Sequence, residues 1–133
     1  MITRPAVVVH SFHHANAALR PGYPLALLSA PAAAGYAGCL WWRELVAAAR
    51  ARHPATPVLD ALDCGAAPGH AMAALRVGQR LLLLDPACPA FARVADAAAT
   101  LGAHVLARRP VALDLAERGA PYRLMAWLAA PGP

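Results

Sequence analysis

Lysine is missing from this chain: all twelve side chains in its lysine-plus-arginine count are arginine. That absence removes several chemistries at once. There is no phosphate-gripping lysine of a Walker loop, no Schiff base to a carbonyl or pyridoxal cofactor, and no lysine general base. Serine is nearly missing too. Ser11 and Ser29 are the only ones, and neither lies in the Gly-x-Ser-x-Gly frame of an elbow nucleophile. Cysteine is limited to Cys39, Cys64 and Cys88. An odd number without paired metal-type spacing favours free thiols over a disulfide framework and a cytoplasmic, reducing compartment. No uninterrupted apolar run approaches the roughly 20 residues of a membrane span. The short apolar run near the N-terminus is ended by His10, too soon for a secretory leader. No membrane partner is expected.

What remains is a chain of 133 residues, 59% apolar and rich in alanine. This length suits one domain over residues 1–133, with 121–133 as a C-terminal tail segment. The formal charge of +5 invites a nucleic-acid reading. The arginines are scattered along the sequence from Arg4 to Arg123, however, so nucleic acid is not the expected partner.

Short β-type runs alternate with helical patterns, the signature of βα units around a mostly parallel sheet. The runs cover residues 6–10, 25–29, 58–63, 80–85 and 103–106, with 111–115 as a sixth strand or a turn. Val7-Val8-Val9 and Leu81-Leu82-Leu83-Leu84 are continuously apolar, as strands covered on both faces are. Asp60 interrupts the third run and argues for a shorter strand or one near an edge. The fold class is therefore α/β: a single three-layer sandwich of five to six mostly parallel strands with helices on both faces, flavodoxin-like or Rossmann-like.

Helix punctuation agrees with this alternation. Ser11 is a candidate N-cap for a helix over 12–20, which Pro21-Gly22 stops. Gly38, Trp41, Trp42, Leu45, Val46 and Ala49 share one face at helical spacing, which assigns both tryptophans to the core. Pro68 and Pro89 suit first-turn positions, and Gly78 and Gly102 suit the left-handed position after a helix. The segment 122–130 reads as a short apolar helix without an evident slot in a finished sandwich, and Pro131-Gly132-Pro133 as a loose end.

Open parallel sheets bind ligands beyond the carboxyl ends of their strands. The reactive residues collect there, in His10-Ser11-Phe12-His13-His14, Ser29-Ala30-Pro31, Asp63-Cys64-Gly65 and Asp85-Pro86; parallel strands would bring all four segments to one edge. A metal could be imagined on the histidines, but their spacing counts against it: His13 and His14 diverge on a helix, and His10 and His14 straddle a strand end and a helix start. No metal site is assigned. Cys64 precedes a helix N-terminus, where a thiol pKa can fall, which makes it a candidate nucleophile near His10. The stretch Asp63-Cys64-Gly65-Ala66-Ala67-Pro68-Gly69 offers backbone N–H groups at a helix start, where the dipole favours an anion.

With Asp85 at the end of the next apolar run, residues 63–69 resemble the first cofactor motif of Rossmann-like S-adenosylmethionine methyltransferases, in the Asp-x-Gly-Ala-Ala-Pro-Gly form of the rRNA 2′-O-methyltransferase family. The resemblance covers roughly residues 58–106. It implies that Gly65 and Gly69 approach the cofactor's amino-acid part and that Asp85 holds ribose hydroxyls. Two βα units precede the motif where that family begins its sheet, little chain follows it, and the lysines that subfamily relies on are absent.

The expected function is binding of a small anionic or nucleotide-like ligand at the strand carboxyl edge by Asp63, Cys64, Gly65, Gly69, Asp85, His10 and Ser29. The cofactor's identity is left open. The alternatives are a small enzyme using His10 with Asp63 or Cys64, with or without a metal, a remnant S-adenosylmethionine-binding fold, and a structural or interaction domain. A surface with charge on only 14% of residues, against roughly a quarter in ordinary domains, predicts a two-fold homodimer through residues 122–130.

Overall fold

The computed structural model describes residues 2–130; the end at Pro131-Gly132-Pro133, read above as loose, lies outside the described residues. Strands and helices follow in the order β1 (Ala6–Val8), α1 (Phe12–Leu19), β2 (Leu25–Leu28), α2 (Ala33–Tyr36), α3 (Cys39–Arg52) and β3 (Val58–Asp63). They continue through α4 (Pro68–Arg76), β4 (Leu81–Leu83), α5 (Phe91–Thr100), β5 (His104–Leu106), β6 (Ala112–Asp114) and α6 (Ala120–Ala129). The strands form a six-stranded parallel sheet flanked by helices, the three-layer α/β arrangement that the alternation implies. Its order is β5-β4-β3-β2-β1-β6. Strands therefore advance in one direction from β1 to β5, and β6 returns to the far side of β1, where the order reverses.

Two compact units make up the chain. One comprises the chain up to Leu28, Glu44–Asp60 and the chain from Pro110 on. Here β1 pairs with β2 and β6, in the registers Val7↔Leu27 and Val7↔Leu113. Val7, Val9, Leu19, Leu25, Leu27, Leu28 and Val46 are fully buried, so β1 and β2 are apolar throughout because both of their faces are covered. Ser11 caps α1 as expected, its Oγ accepting the His14 amide at 3.2 Å. Asp60 neither shortens β3 nor marks an edge: the strand runs its full predicted length in the interior of the sheet order. The carboxylate is tolerated because Arg50 Nη2 donates to its Oδ1 at 2.9 Å. Residues 122–130 also have a slot after all. In α6, Ala120, Leu124 and Leu128 are buried at four-residue spacing, and Trp127 Nε1 donates to the Ala6 carbonyl at 2.9 Å.

The other unit comprises Ser29–Arg43 and Ala61–Arg109. Strands β3, β4 and β5 pair in the registers Leu62↔Leu82 and Leu82↔Val105, and Leu62, Leu82 and Leu84 are fully buried. Trp42 is fully buried as expected, and Trp41 is half-buried with its ring centroid 6.0 Å away. Gly78 and Gly102 take left-handed φ values of +95° and +72° just after α4 and α5. Pro68 opens α4, but Pro89 does not open α5. Asp85 Oδ1 accepts the Ala87 amide, and its carbonyl accepts the Cys88 amide. These turns delay helix onset to Phe91. The short α2, entered through Ala32 in a left-handed conformation, has no forecast in the sequence pattern.

Candidate functional site

The carboxyl ends of β3 and β4 are joined by a close peptide contact: the Asp85 amide donates to the Gly65 carbonyl at 2.8 Å. Gly65 can make this turn because its φ is +59°, a region where a Cβ is strained. Asp63 holds the turn from below, with Oδ1 accepting the Gly65 amide at 2.8 Å. Its Oδ2 accepts from Arg109 Nη1 at 2.8 Å, and the same nitrogen donates to the Ser29 carbonyl at 3.1 Å. Ser29 completes the stitch through its Oγ, which accepts the Asp63 amide at 2.9 Å and donates to the Ala30 carbonyl.

A cavity of about 250 Å³ opens at these strand ends, lined by Asp63, Gly65, Ala66, Leu83, Leu84, Asp85, Pro86, Ala107 and Arg109. That is below the roughly 300–1,000 Å³ of pockets for drug-sized molecules, so it suits one small ligand or one part of a larger one. Of its lining residues, Leu83 and Leu84 are buried and Asp85 is exposed. Among the described residues no hydrogen bond is made to Asp85 Oδ2, so a carboxylate oxygen is left to accept from a ligand.

Three of the seven candidate residues, Asp63, Gly65 and Asp85, line this cavity. Ser29 is fully buried and acts behind it, and Cys64 is buried with its thiol toward the Leu62 carbonyl. Burial, then the Asp63 charge, then Cys39 push the Cys64 pKa up to about 12, which opposes the thiolate that the helix-terminus position suggested. Gly69 is exposed, with open space where a Cβ would stand, so close packing does not require glycine there. Arg109 was missed. It follows β5, and in the sequence it is one of an adjacent pair, Arg108-Arg109, with no motif to separate them.

His10 makes its contacts in the other unit. Its Nε2 lies 2.7 Å from Asp114 Oδ1, so its side-chain partner is Asp114 rather than Asp63 or Cys64. An ionised carboxylate only accepts, which places the His10 proton on Nε2. Asp114 Oδ1 also accepts the Ala116 amide at 2.9 Å. The His10 amide donates to His14 Nδ1 at 3.1 Å, and the two rings stand edge to face with centroids 5.7 Å apart. The His14 pKa is lowered by burial first, then by the charges of His10 and His13 against the opposing pull of Asp114. This group sits where β1 and β6 adjoin, the point at which strand order reverses. Among the described residues no three His, Cys, Asp or Glu side chains are grouped to hold a metal, and no helix is long and apolar enough to cross a membrane.

A comparison with models of known protein families finds no match for the chain, and a comparison with curated proteins finds no significant one.

Proposed function

We propose that the chain binds a small nucleotide-like ligand through its nucleoside part, in the cavity at the carboxyl ends of β3 and β4. The observation that carries this reading is Asp85: its Oδ2 accepts no hydrogen bond from a described residue, and it lines a cavity together with Leu83 and Leu84. Leucine side chains in the lining suit a planar base, and a carboxylate suits a vicinal diol, whose two hydroxyls donate to it. Of the two ligand types the sequence suggested, a compact anion is the poorer fit, because two carboxylates and one guanidinium line the space. The likeness of residues 63–69 to a methyltransferase cofactor turn adds S-adenosylmethionine and S-adenosylhomocysteine to the compounds worth testing. Isothermal titration of these two and of the four common ribonucleosides tests the reading. Asp85→Asn removes a charged acceptor, and the expected loss of affinity is about tenfold to a hundredfold. Equal affinity in the variant would reject Asp85 as the anchor.

The His10–Asp114 pair favours a second reading, proton transfer at the point where strand order reverses. Crevices at such points are preferred ligand sites in parallel α/β sheets. Asp114 holds the proton of His10 on Nε2 and leaves Nδ1 as the basic atom, the arrangement of an oriented general base. Turnover of small ester or phosphoester substrates that is lost in His10→Gln and reduced in Asp114→Asn supports it. A panel without turnover by the unaltered protein rejects it for those substrates.

We also propose that two copies associate through the outer face of α6. Tyr122 and Met125 are 94% and 54% exposed there while the opposite face is buried, and apolar side chains of this size on a sparsely charged surface favour association. Cys39, Cys64 and Cys88 are all free thiols, as a cytoplasmic setting for the protein would keep them.

A further inference from the structure

We propose that the Asp63–Arg109 ion pair sets the specificity of the cavity, making it accept unphosphorylated nucleosides and reject their phosphates. The inference rests on the nucleoside reading of the site. Asp63, Asp85 and Arg109 are its charged lining residues, giving a formal charge of one negative unit. Arg109 is the group that would otherwise grip a phosphate, and Asp63 offsets its charge: Nη1 donates to Asp63 Oδ2 at 2.8 Å and to the Ser29 carbonyl at 3.1 Å. That pairing is well supported. The Asp63 side chain is only 9% exposed, its other oxygen is held by the Gly65 amide, and its own amide is held by Ser29 Oγ. The carboxylate therefore has little freedom to swing away and release the guanidinium.

A ligand phosphate brings nearly two further negative charges into about 250 Å³ beside two carboxylates. Beyond Arg109, already counted in the lining's net charge, one attraction opposes this, the start of α4, whose N-cap Ala67 supplies no capping side chain. A helix terminus strengthens anion binding only a few-fold. Like charges a few ångströms apart in a partly buried site weaken it by about tenfold or more. Repulsion is the larger effect.

Replacing the carboxylate reverses the balance. Asp63→Asn keeps an oxygen for the Gly65 amide, removes one negative charge and leaves Arg109 without its anionic partner. The lining then carries no net charge, with a cation available for a phosphate.

Isothermal titration of the unaltered protein with adenosine, guanosine, cytidine and uridine, and with their 5′-monophosphates, tests the proposal. The expected result is that whichever nucleoside binds does so about tenfold or more tighter than its monophosphate, and that the gap closes or inverts in Asp63→Asn. A monophosphate that binds the unaltered protein as tightly as its nucleoside overturns the proposal and leaves the nucleoside reading standing. Absence of binding by every probe rejects that reading, and the specificity proposal falls with it. Should Asp63→Asn not fold, Arg109→Lys supplies the second comparison. Lysine keeps the charge but loses the two-acceptor geometry, so the gap should shrink; an unchanged gap counts against the ion pair as its cause.

Discussion

A Cβ added to Gly65 would stand 3.0 Å from the Cβ of Ala32, and both residues hold left-handed backbone, at φ +59° and +56°. Two loops, one after β2 and one after β3, thus come close enough that a side chain at Gly65 would crowd Ala32. Left-handed backbone at a residue with a Cβ is strained by roughly 1–2 kcal/mol. Ala32 bears that strain beside the candidate ligand cavity, a setting in which such residues concentrate.

Gly65→Ala should destabilise the protein by about 1–3 kcal/mol, through its own φ and the contact with Ala32. In an Ala32→Gly background the same change should cost less, because the nearest remaining Ala32 atom, Cα, is 3.6 Å away. Urea denaturation of the two single variants and the double variant should give a coupling energy of about 0.5–1 kcal/mol. Strict additivity would mean the two loops do not constrain each other.

Cys64 should be the slowest of the three thiols to alkylate in the folded protein. It is buried and its pKa is pushed up to about 12, whereas Cys39 and Cys88 are half-buried. Native-state iodoacetamide labelling followed by mass spectrometry checks this. Preferential modification of Cys64 would contradict the inert-thiol assignment and restore it as a candidate nucleophile.

Acid should weaken the fold through His14. Its folded-state pKa lies below the ordinary histidine value of 6.5, so the unfolded chain binds the proton more readily. The stability it contributes is complete above the unfolded pKa and is lost as pH falls through the folded one. Protonation at Nδ1 also removes the acceptor for the His10 amide. Urea midpoints measured from about pH 7.5 to 5 should fall toward the acid end. The fall should be shallower in His14→Gln, and an equal slope in both proteins would acquit His14.

If two copies pair through α6, Tyr122→Glu with Met125→Glu should give folded monomers by sedimentation at micromolar concentration, with the unfolding midpoint lowered only by the lost association. Both residues are exposed within one chain, so the chain's own core does not need them. A dimer that survives both changes would move the interface elsewhere. A monomeric unaltered protein would remove it.

The pattern of apolar runs and helix stops carried the fold class, because alternation of buried strands with capped helices is a local property. Val7-Val8-Val9 reads as a covered strand from its own side chains, and Gly78 and Gly102 mark helix ends through their own backbone freedom. The serine cap at Ser11 was legible for the same reason: donor and acceptor lie three residues apart. Asp63 and Gly65 of one motif and Asp85 at the next strand end, all singled out by sequence, line one cavity.

Tertiary structure alone decided which charges meet. Asp63 and Arg109 are 46 residues apart, and His10 and Asp114 are 104 apart. No local propensity connects them, and only the strand order brings each pair together. The same holds for Asp60, whose charge argued against an interior strand until Arg50 from α3 supplied its partner. A charged side chain carries no record of its counterion in its own neighbourhood, whereas a buried leucine needs only to be apolar. Composition and periodicity therefore determined the layers, and packing determined the chemistry that the strand ends present.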